Sequence, residues 1–196
     1  MNLANKLTML RVILVPVFIV VMSIESIPHW ALWALLIFAV ASITDTLDGQ
    51  YARKHNLITN FGIFMDPFAD KLLVVSAIIM LVAHGLIPAW VSIIIIAREF
   101  AVSGLRTVAA NEGNVIPASN LGKIKTILQM TAVIVMLIKL IIMTDIWFAS
   151  VKTWITTEAQ FIGYLPDVLI YAAAFMTLYS GIDYFKNGWK FIDPTK

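Results

Sequence analysis

Six apolar runs, at residues 8–24, 30–50, 66–86, 89–110, 121–143 and 165–186, leave this chain of 196 residues one kind of fold. A helix needs about 20 apolar residues to cross a hydrocarbon core of roughly 30 Å, and each run has about that length. Charged residues make up 13% of the sequence, against about 25% in an ordinary soluble domain. The reading is an all-α integral membrane protein, a bundle of six transmembrane helices. No internal repeat, low-complexity segment or long polar linker divides it, so residues 1–196 read as a single membrane domain. Turns are marked by Ile27-Pro28, Gly85-Leu86-Ile87-Pro88, Asn111-Glu112-Gly113-Asn114 and Gly163-Tyr164-Leu165-Pro166, which combine helix stops with a proline near the next start.

The net charge is only +2, but its distribution is lopsided, and distribution sets membrane orientation. Lys6, Arg11, Arg53, Lys54, Arg106, Lys123, Lys125, Lys186, Lys190 and Lys196 fall at helix ends or loops on one side, whereas Lys139 and Lys152 fall on the other. Both termini and the loop after Arg53 are therefore expected on the cytoplasmic side of a multi-pass cell membrane protein. The first run ends in Ser23-Ile24-Glu25-Ser26, without an A-x-A-like cleavage site, and reads as a retained helix rather than a signal peptide. Between Asp145 and Gln160, Trp147, Val151, Trp154, Ile155 and Ile162 recur at helical spacing while Lys152, Thr156 and Glu158 are polar. That segment is expected to lie flat at the outer interface, where tryptophan prefers to sit. The absence of cysteine removes disulfides, thiolate catalysis and cysteine-ligated zinc.

Four carboxylates interrupt this apolar chain: Asp45, Asp48, Asp66 and Asp70. One aspartate at the centre of a membrane helix costs about 2.5–3.5 kcal/mol, so four need compensation, and divalent cations supply it. The first pair is three residues apart and the second four, so each pair shares a helix face, with rises of about 4.5 and 6 Å. Two such faces opposed across a bundle can hold two metals, which polarise a phosphoryl oxygen, orient a nucleophile and stabilise a leaving group. Hard oxygen donors without His or Cys favour Mg²⁺ or Mn²⁺ over zinc. Gly49, Ala52 and Gly62 are small residues beside the acids, able to admit a nucleotide close to a helix backbone or simply to let helices pack closely. Arg53 is a positive-inside anchor, a phosphate partner, or both.

Together these residues form D-x-x-D-G-x-x-A-R, eight residues, then G-x-x-x-D-x-x-x-D. This string resembles the signature of the CDP-alcohol phosphatidyltransferases, with all eight defining positions occupied: Asp45, Asp48, Gly49, Ala52, Arg53, Gly62, Asp66 and Asp70. The resemblance implies a six-helix membrane fold, two Mg²⁺ or Mn²⁺ ions on the four aspartates, and transfer of a phosphatidyl group from a CDP-linked lipid to an alcohol with release of CMP. It assigns Asp48, Gly49, Ala52, Arg53 and Gly62 to the CDP-lipid and makes Asp70 the general base. The opening Asn5-Lys6-Leu7-Thr8-Met9-Leu10-Arg11 also looks like the family's, and there Asn5, Thr8 and Arg11 help enclose the nucleotide. Ala4 stands where many relatives carry proline, a departure that touches the start of the helix more than the chemistry.

The second half carries charges of its own: Arg98, Glu99 and Arg106 in one apolar run, then Lys123 and Lys125 opening the next. They read as orientation signals and a structural Arg98–Glu99 pair, or as donors to an anionic acceptor, since a phosphate in a partly dry pocket needs charge-assisted partners. The strings 97–106, 121–129 and 179–184 resemble a bacterial branch of the family. That implies sn-glycerol 3-phosphate as the acceptor and phosphatidylglycerophosphate as the product; on the second reading of the charges, Arg98, Arg106, Lys123 and Lys125 are the expected donors to its phosphate. Expected partners are CDP-diacylglycerol, sn-glycerol 3-phosphate and membrane lipids, with a homodimer as an allowed assembly and no nucleic acid. Another acceptor (serine, inositol phosphate or a lipid) is the alternative within the same chemistry. A divalent-cation transporter is the alternative outside it, explaining the acids but not the small residues and Arg53 at their fixed offsets.

Overall fold

The computed structural model describes the backbone of residues 3–55, 60–111, 113, 117 and 119–188, and the side chains of these apart from 3–6, 46–64, 66, 67, 70, 111 and 187. The described residues form six long helices: α1 (Leu3–Ser23), α2 (Trp30–His55), α3 (Asn60–Ala83), α4 (Ala89–Asn111), α5 (Asn120–Thr144) and α7 (Gln160–Gly188). A 3-10 turn (Ile146–Phe148) and a short helix, α6 (Ala149–Thr157), fill the segment between α5 and α7. The helical spacing read between Asp145 and Gln160 is thus a helix in fact, with Trp147 and Trp154 exposed.

The turns follow from local chemistry. Gly85, at φ +70°, donates its N–H to the carbonyl of Val82 at 2.9 Å, and Leu86 donates to Leu81 at 2.9 Å. This pair of bonds is the glycine-terminated cap that closes a helix, and Pro88 sits immediately before α4. The hydroxyl of Ser119 accepts from the N–H of Gly122 at 3.1 Å and starts α5. Asp145 ends α5, and its carboxylate accepts from the N–H of Trp147 at 2.9 Å to start the 3-10 turn.

One core binds the helices. On α1, Val15, Phe18 and Met22 are buried, and on α2, Ala31, Ala34, Phe38 and Ala41 recur at spacings of three and four along the facing stripe. Small residues on α2 let the two backbones approach, so α1 and α2 form a close seam, with α3 against α1. α5 packs on α7 and touches α2 and α3, while α4 leans on α7 and, to a lesser extent, α3. The outward stripes are as apolar as the core: Trp33, Leu36, Val40 and Ile43 on α2, and Val168, Tyr171, Phe175 and Ile182 on α7, are exposed. A helix that is apolar all round is a membrane span or the core of a larger assembly. By length and composition, Asn120–Thr144 and Gln160–Lys186 are each able to cross a membrane.

Candidate active site

Thr8 and Arg11 lie in the first half of α1, Arg106 near the end of α4, and Lys123 and Lys125 at the start of α5. Asp45 and Asp48 are on the last turns of α2, and Asp66 and Asp70 on the first turns of α3. The side chains of Asp48, Asp66 and Asp70, and those of Asn5, Gly49, Ala52, Arg53 and Gly62, lie outside the described residues. The side chain of Asp45 is 40% exposed and pairs with Arg11 at 2.6 Å. Arg11 is fully buried, and Thr8, one turn earlier on the same face of α1, is 1% exposed. A buried guanidinium is tolerable only with a counter-charge, so this ion pair fixes α1 against the acidic end of α2. It also sets Thr8 and Arg11, expected to enclose a nucleotide, beside the first of the four acids.

Two cavities open between α3, α4 and α5, the smaller also bordered by α2; α4 packs mainly on α7. One, of about 440 Å³, has Asp45, Lys71, Glu99 and Lys125 at its polar end. The other, of about 760 Å³, is lined by Arg98, Arg106, Lys123, Ser103 and Thr107. Lys71, Glu99, Thr126 and Ile127 border both, so the cavities are neighbours through a shared wall.

The four cations expected at an acceptor phosphate therefore separate. Arg98, Arg106 and Lys123 line the larger cavity. Lys125 is 1% exposed, faces the smaller one, and forms an ion pair with Glu99. Arg98 lies 3.9 Å from Glu99 and donates to the hydroxyl of Ser180 at 2.6 Å. Arg106 donates through Nε and Nη2 to the phenolic oxygen of Tyr184 at 2.9 and 2.6 Å, with its guanidinium carbon 5.0 Å from the ring centre. The Tyr184 hydroxyl in turn donates to the carbonyl of Pro117 at 2.8 Å. Arg98 and Arg106 are thus both held from α7, at partners 82 and 78 residues away in sequence.

Sequence reasoning missed Lys71, which hydrogen-bonds Ser103 across the α3–α4 junction and borders both cavities. Its position directly after Asp70 was the available signal. It also missed Ser180 and Tyr184 as anchors, although both lie in the 179–184 string.

An oxygen-only donor set suits hard divalent cations, and the described part of it, the Asp45 carboxylate, is accessible at the mouth of a charged cavity. The set is therefore chemically suited to Mg²⁺ or Mn²⁺.

The profile of the CDP-alcohol phosphatidyltransferase family matches residues 1–165. The chain is 42% identical to the CDP-diacylglycerol–glycerol-3-phosphate 3-phosphatidyltransferase of Bacillus subtilis over 96% of each chain. It is 39% identical to the protein of the same name from Rickettsia felis over 94% of each. A probable phosphatidylglycerophosphate synthase of Mycobacterium tuberculosis is 46% identical over 67% of this chain and 64% of its own length.

Proposed function

Because the chain belongs to the CDP-alcohol phosphatidyltransferase family, a family of membrane-associated, divalent-metal-dependent enzymes, we propose that it transfers the phosphatidyl group of CDP-diacylglycerol to sn-glycerol 3-phosphate. The products are phosphatidylglycerophosphate and CMP. The observation that carries the choice of acceptor is the cavity holding Arg98, Arg106 and Lys123 next to the acid-bearing helices. With Lys71, four cations line that space against one carboxylate, Glu99, an excess of positive charge that suits a phosphomonoester and that an uncharged alcohol such as serine's side chain does not require.

In this reading Asp45, Asp48, Asp66 and Asp70 hold two divalent ions, which when bound supply polarisation of the phosphoryl oxygens and neutralise charge on the departing CMP. Asn5, Thr8, Gly49, Ala52, Arg53 and Gly62 surround the nucleotide. The acceptor phosphate rests on Arg98, Arg106 and Lys123, which points its free primary hydroxyl towards the acids. Asp70 takes the hydroxyl proton, the oxygen attacks the phosphorus bonded to diacylglycerol, and the bond to CMP breaks. Lys125 acts from the neighbouring cavity: its charge is taken up by Glu99, so it shapes the wall rather than binding the phosphate directly.

The six long helices cross the cytoplasmic membrane, with both termini and the active site on the cytoplasmic side and residues 1–196 acting as one domain. The lopsided lysines and arginines and the apolar outward stripes support that topology. A homodimer is compatible with it. The test is CMP release by the purified protein in detergent with CDP-diacylglycerol and a panel of alcohols. Release with sn-glycerol 3-phosphate alone is expected, and turnover of serine or inositol phosphate at the same rate would refute the assignment.

A further inference from the structure

Glu99 is the one carboxylate, among the described residues, in the wall that the two cavities share, where it stands with Lys71, Thr126 and Ile127. Arg98, Arg106 and Lys123 line the cavity on one side of that wall, and Asp45 lines the cavity on the other. The Glu99 side chain is 21% exposed, so it reaches the space it borders. Its Oε1 is taken by the ammonium of Lys125, which is 1% exposed and holds the carboxylate in place from α5. Its Oε2 accepts no hydrogen bond among the described residues, since Nη1 of Arg98 stands 3.9 Å away, beyond hydrogen-bond reach. A carboxylate oxygen only accepts, so the group that completes it must donate.

An ionised phosphate brings acceptors only, whereas the hydroxyls of a polyol donate. We propose that Oε2 of Glu99 accepts a hydrogen bond from the middle hydroxyl of the acceptor, and so makes the enzyme selective for a glycerol phosphate over a phosphorylated alcohol that lacks this group. The proposal rests on sn-glycerol 3-phosphate being the acceptor, as under Proposed function. With its phosphate among the cations of the larger cavity and its primary hydroxyl turned towards the acids, the carbon between them passes the shared wall, and that carbon carries the middle hydroxyl. A carboxylate so near a bound phosphate is repelled by it, and the ion pair with Lys125 offsets that repulsion. Glu99 thereby reads the body of the acceptor while the cations hold its charge.

The experiment follows CMP release from CDP-diacylglycerol in mixed micelles with either of two acceptors. One is sn-glycerol 3-phosphate; the other is 3-hydroxypropyl phosphate, which keeps the phosphate and the attacking hydroxyl but lacks the middle one. The proteins are the wild type, Glu99→Met, and Glu99→Met combined with Lys125→Met, which removes both members of the buried ion pair. Methionine keeps the length of glutamate without its hydrogen bonds. The expected wild-type preference for sn-glycerol 3-phosphate is about tenfold in kcat/KM, the low end for a hydrogen bond to a charged group, falling to within about twofold in both variants. The ratio is taken within one preparation, so the folded fraction cancels. Equal use of both acceptors by the wild type would overturn the proposal without any variant. So would a preference that survives in the variants while both rates fall alike, since Glu99 would then serve only Lys125, the attacking hydroxyl or the nucleotide. Absence of CMP release by the wild type from CDP-diacylglycerol and sn-glycerol 3-phosphate is a different failure, that of the proposed function, and is seen before any ratio is taken.

Discussion

Tyr184→Phe removes one oxygen atom and tests whether α7 positions the acceptor site. That oxygen accepts two N–H groups of Arg106, at 2.9 and 2.6 Å, and donates to Pro117 at 2.8 Å. Hydrogen bonds to a charged group contribute about 1.5–3 kcal/mol. Arg106 is itself exposed, so screening by solvent places its share at the low end, near 1.5 kcal/mol. At about 1.4 kcal/mol per factor of ten, that is roughly a tenfold effect. The ring remains, and with it the contact of the guanidinium over the aromatic face, so the arginine is loosened rather than lost. The expected outcome is an apparent KM for sn-glycerol 3-phosphate raised about tenfold, with the KM for CDP-diacylglycerol changed less than twofold. Arg106→Ala should raise the acceptor KM further, and adding Tyr184→Phe to it should then change nothing more, because the two residues act through one contact. Steady-state kinetics with each substrate varied in turn, alongside a thermal melt, reads all three variants. Equal effects on both substrates would mean that the loss is one of folding. Fully additive effects of the two substitutions would mean that Tyr184 does not act through Arg106.

Chelation of divalent ions should abolish CMP release reversibly, and Asp66→Asn should demand a higher Mn²⁺ concentration for half-maximal rate; robust turnover in excess chelator would sink the metal assignment. Asp70→Asn should lower kcat by about 10²–10⁴-fold, and near wild-type turnover with full metal occupancy, measured in parallel, would move the base elsewhere. Asp45→Asn should also lower the melting temperature, because it weakens the counter-charge of a fully buried Arg11; an unchanged melt would show that Arg11 is compensated by other partners. At the opposite end of the bundle, a hydrogen bond from His29 at 2.5 Å and one from the N–H of Trp147 hold the Asp145 carboxyl below its usual range. A carboxyl whose folded pKa is depressed contributes stability above its unfolded pKa and loses it as pH falls through the folded one. Acid melts should therefore show a loss below the ordinary aspartate range in the wild type that is absent from Asp145→Asn, and parallel melts of the two proteins would contradict the pairing.

The spans that hydropathy locates best are those with chemical punctuation. Residues 89–110 and 121–143 were read from sequence, and the helices run Ala89–Asn111 and Asn120–Thr144, because Gly85, Pro88 and Ser119 mark their starts as well as their loops do. Where the helix continues into polar residues, hydropathy stops early. α1 begins at Leu3 rather than residue 8, α2 runs on to His55, and α3 begins at Asn60, since those turns mix polar residues with apolar ones and hydropathy falls there. The site divides in the same way. Spacing alone puts the four acids on two helices. Lys123 and Lys125, two apart on α5, turn to different sides by helix geometry alone, whereas Arg98 with Ser180 and Arg106 with Tyr184 are pairs some 80 residues apart. Local pattern carries no record of such pairs. Lys71 was hidden by its own neighbour: beside Asp70 it reads as part of the acidic motif's flank, yet it spans the gap to Ser103 on α4.

The lean of α4 towards α7 has an evolutionary side. The acids are mounted on α2 and α3, braced by α1 through its alanine-lined seam and through Arg11, whereas the arginines are mounted on α4 and braced by α7. The two groups meet at a gap bordered by Lys71 and Glu99, with α5 packed against both. In the proposed reading, substitutions on α4 and α7 can reshape the arginine-lined cavity without replacing any of the four acids. A lineage can in this way inherit one reaction and diversify its products.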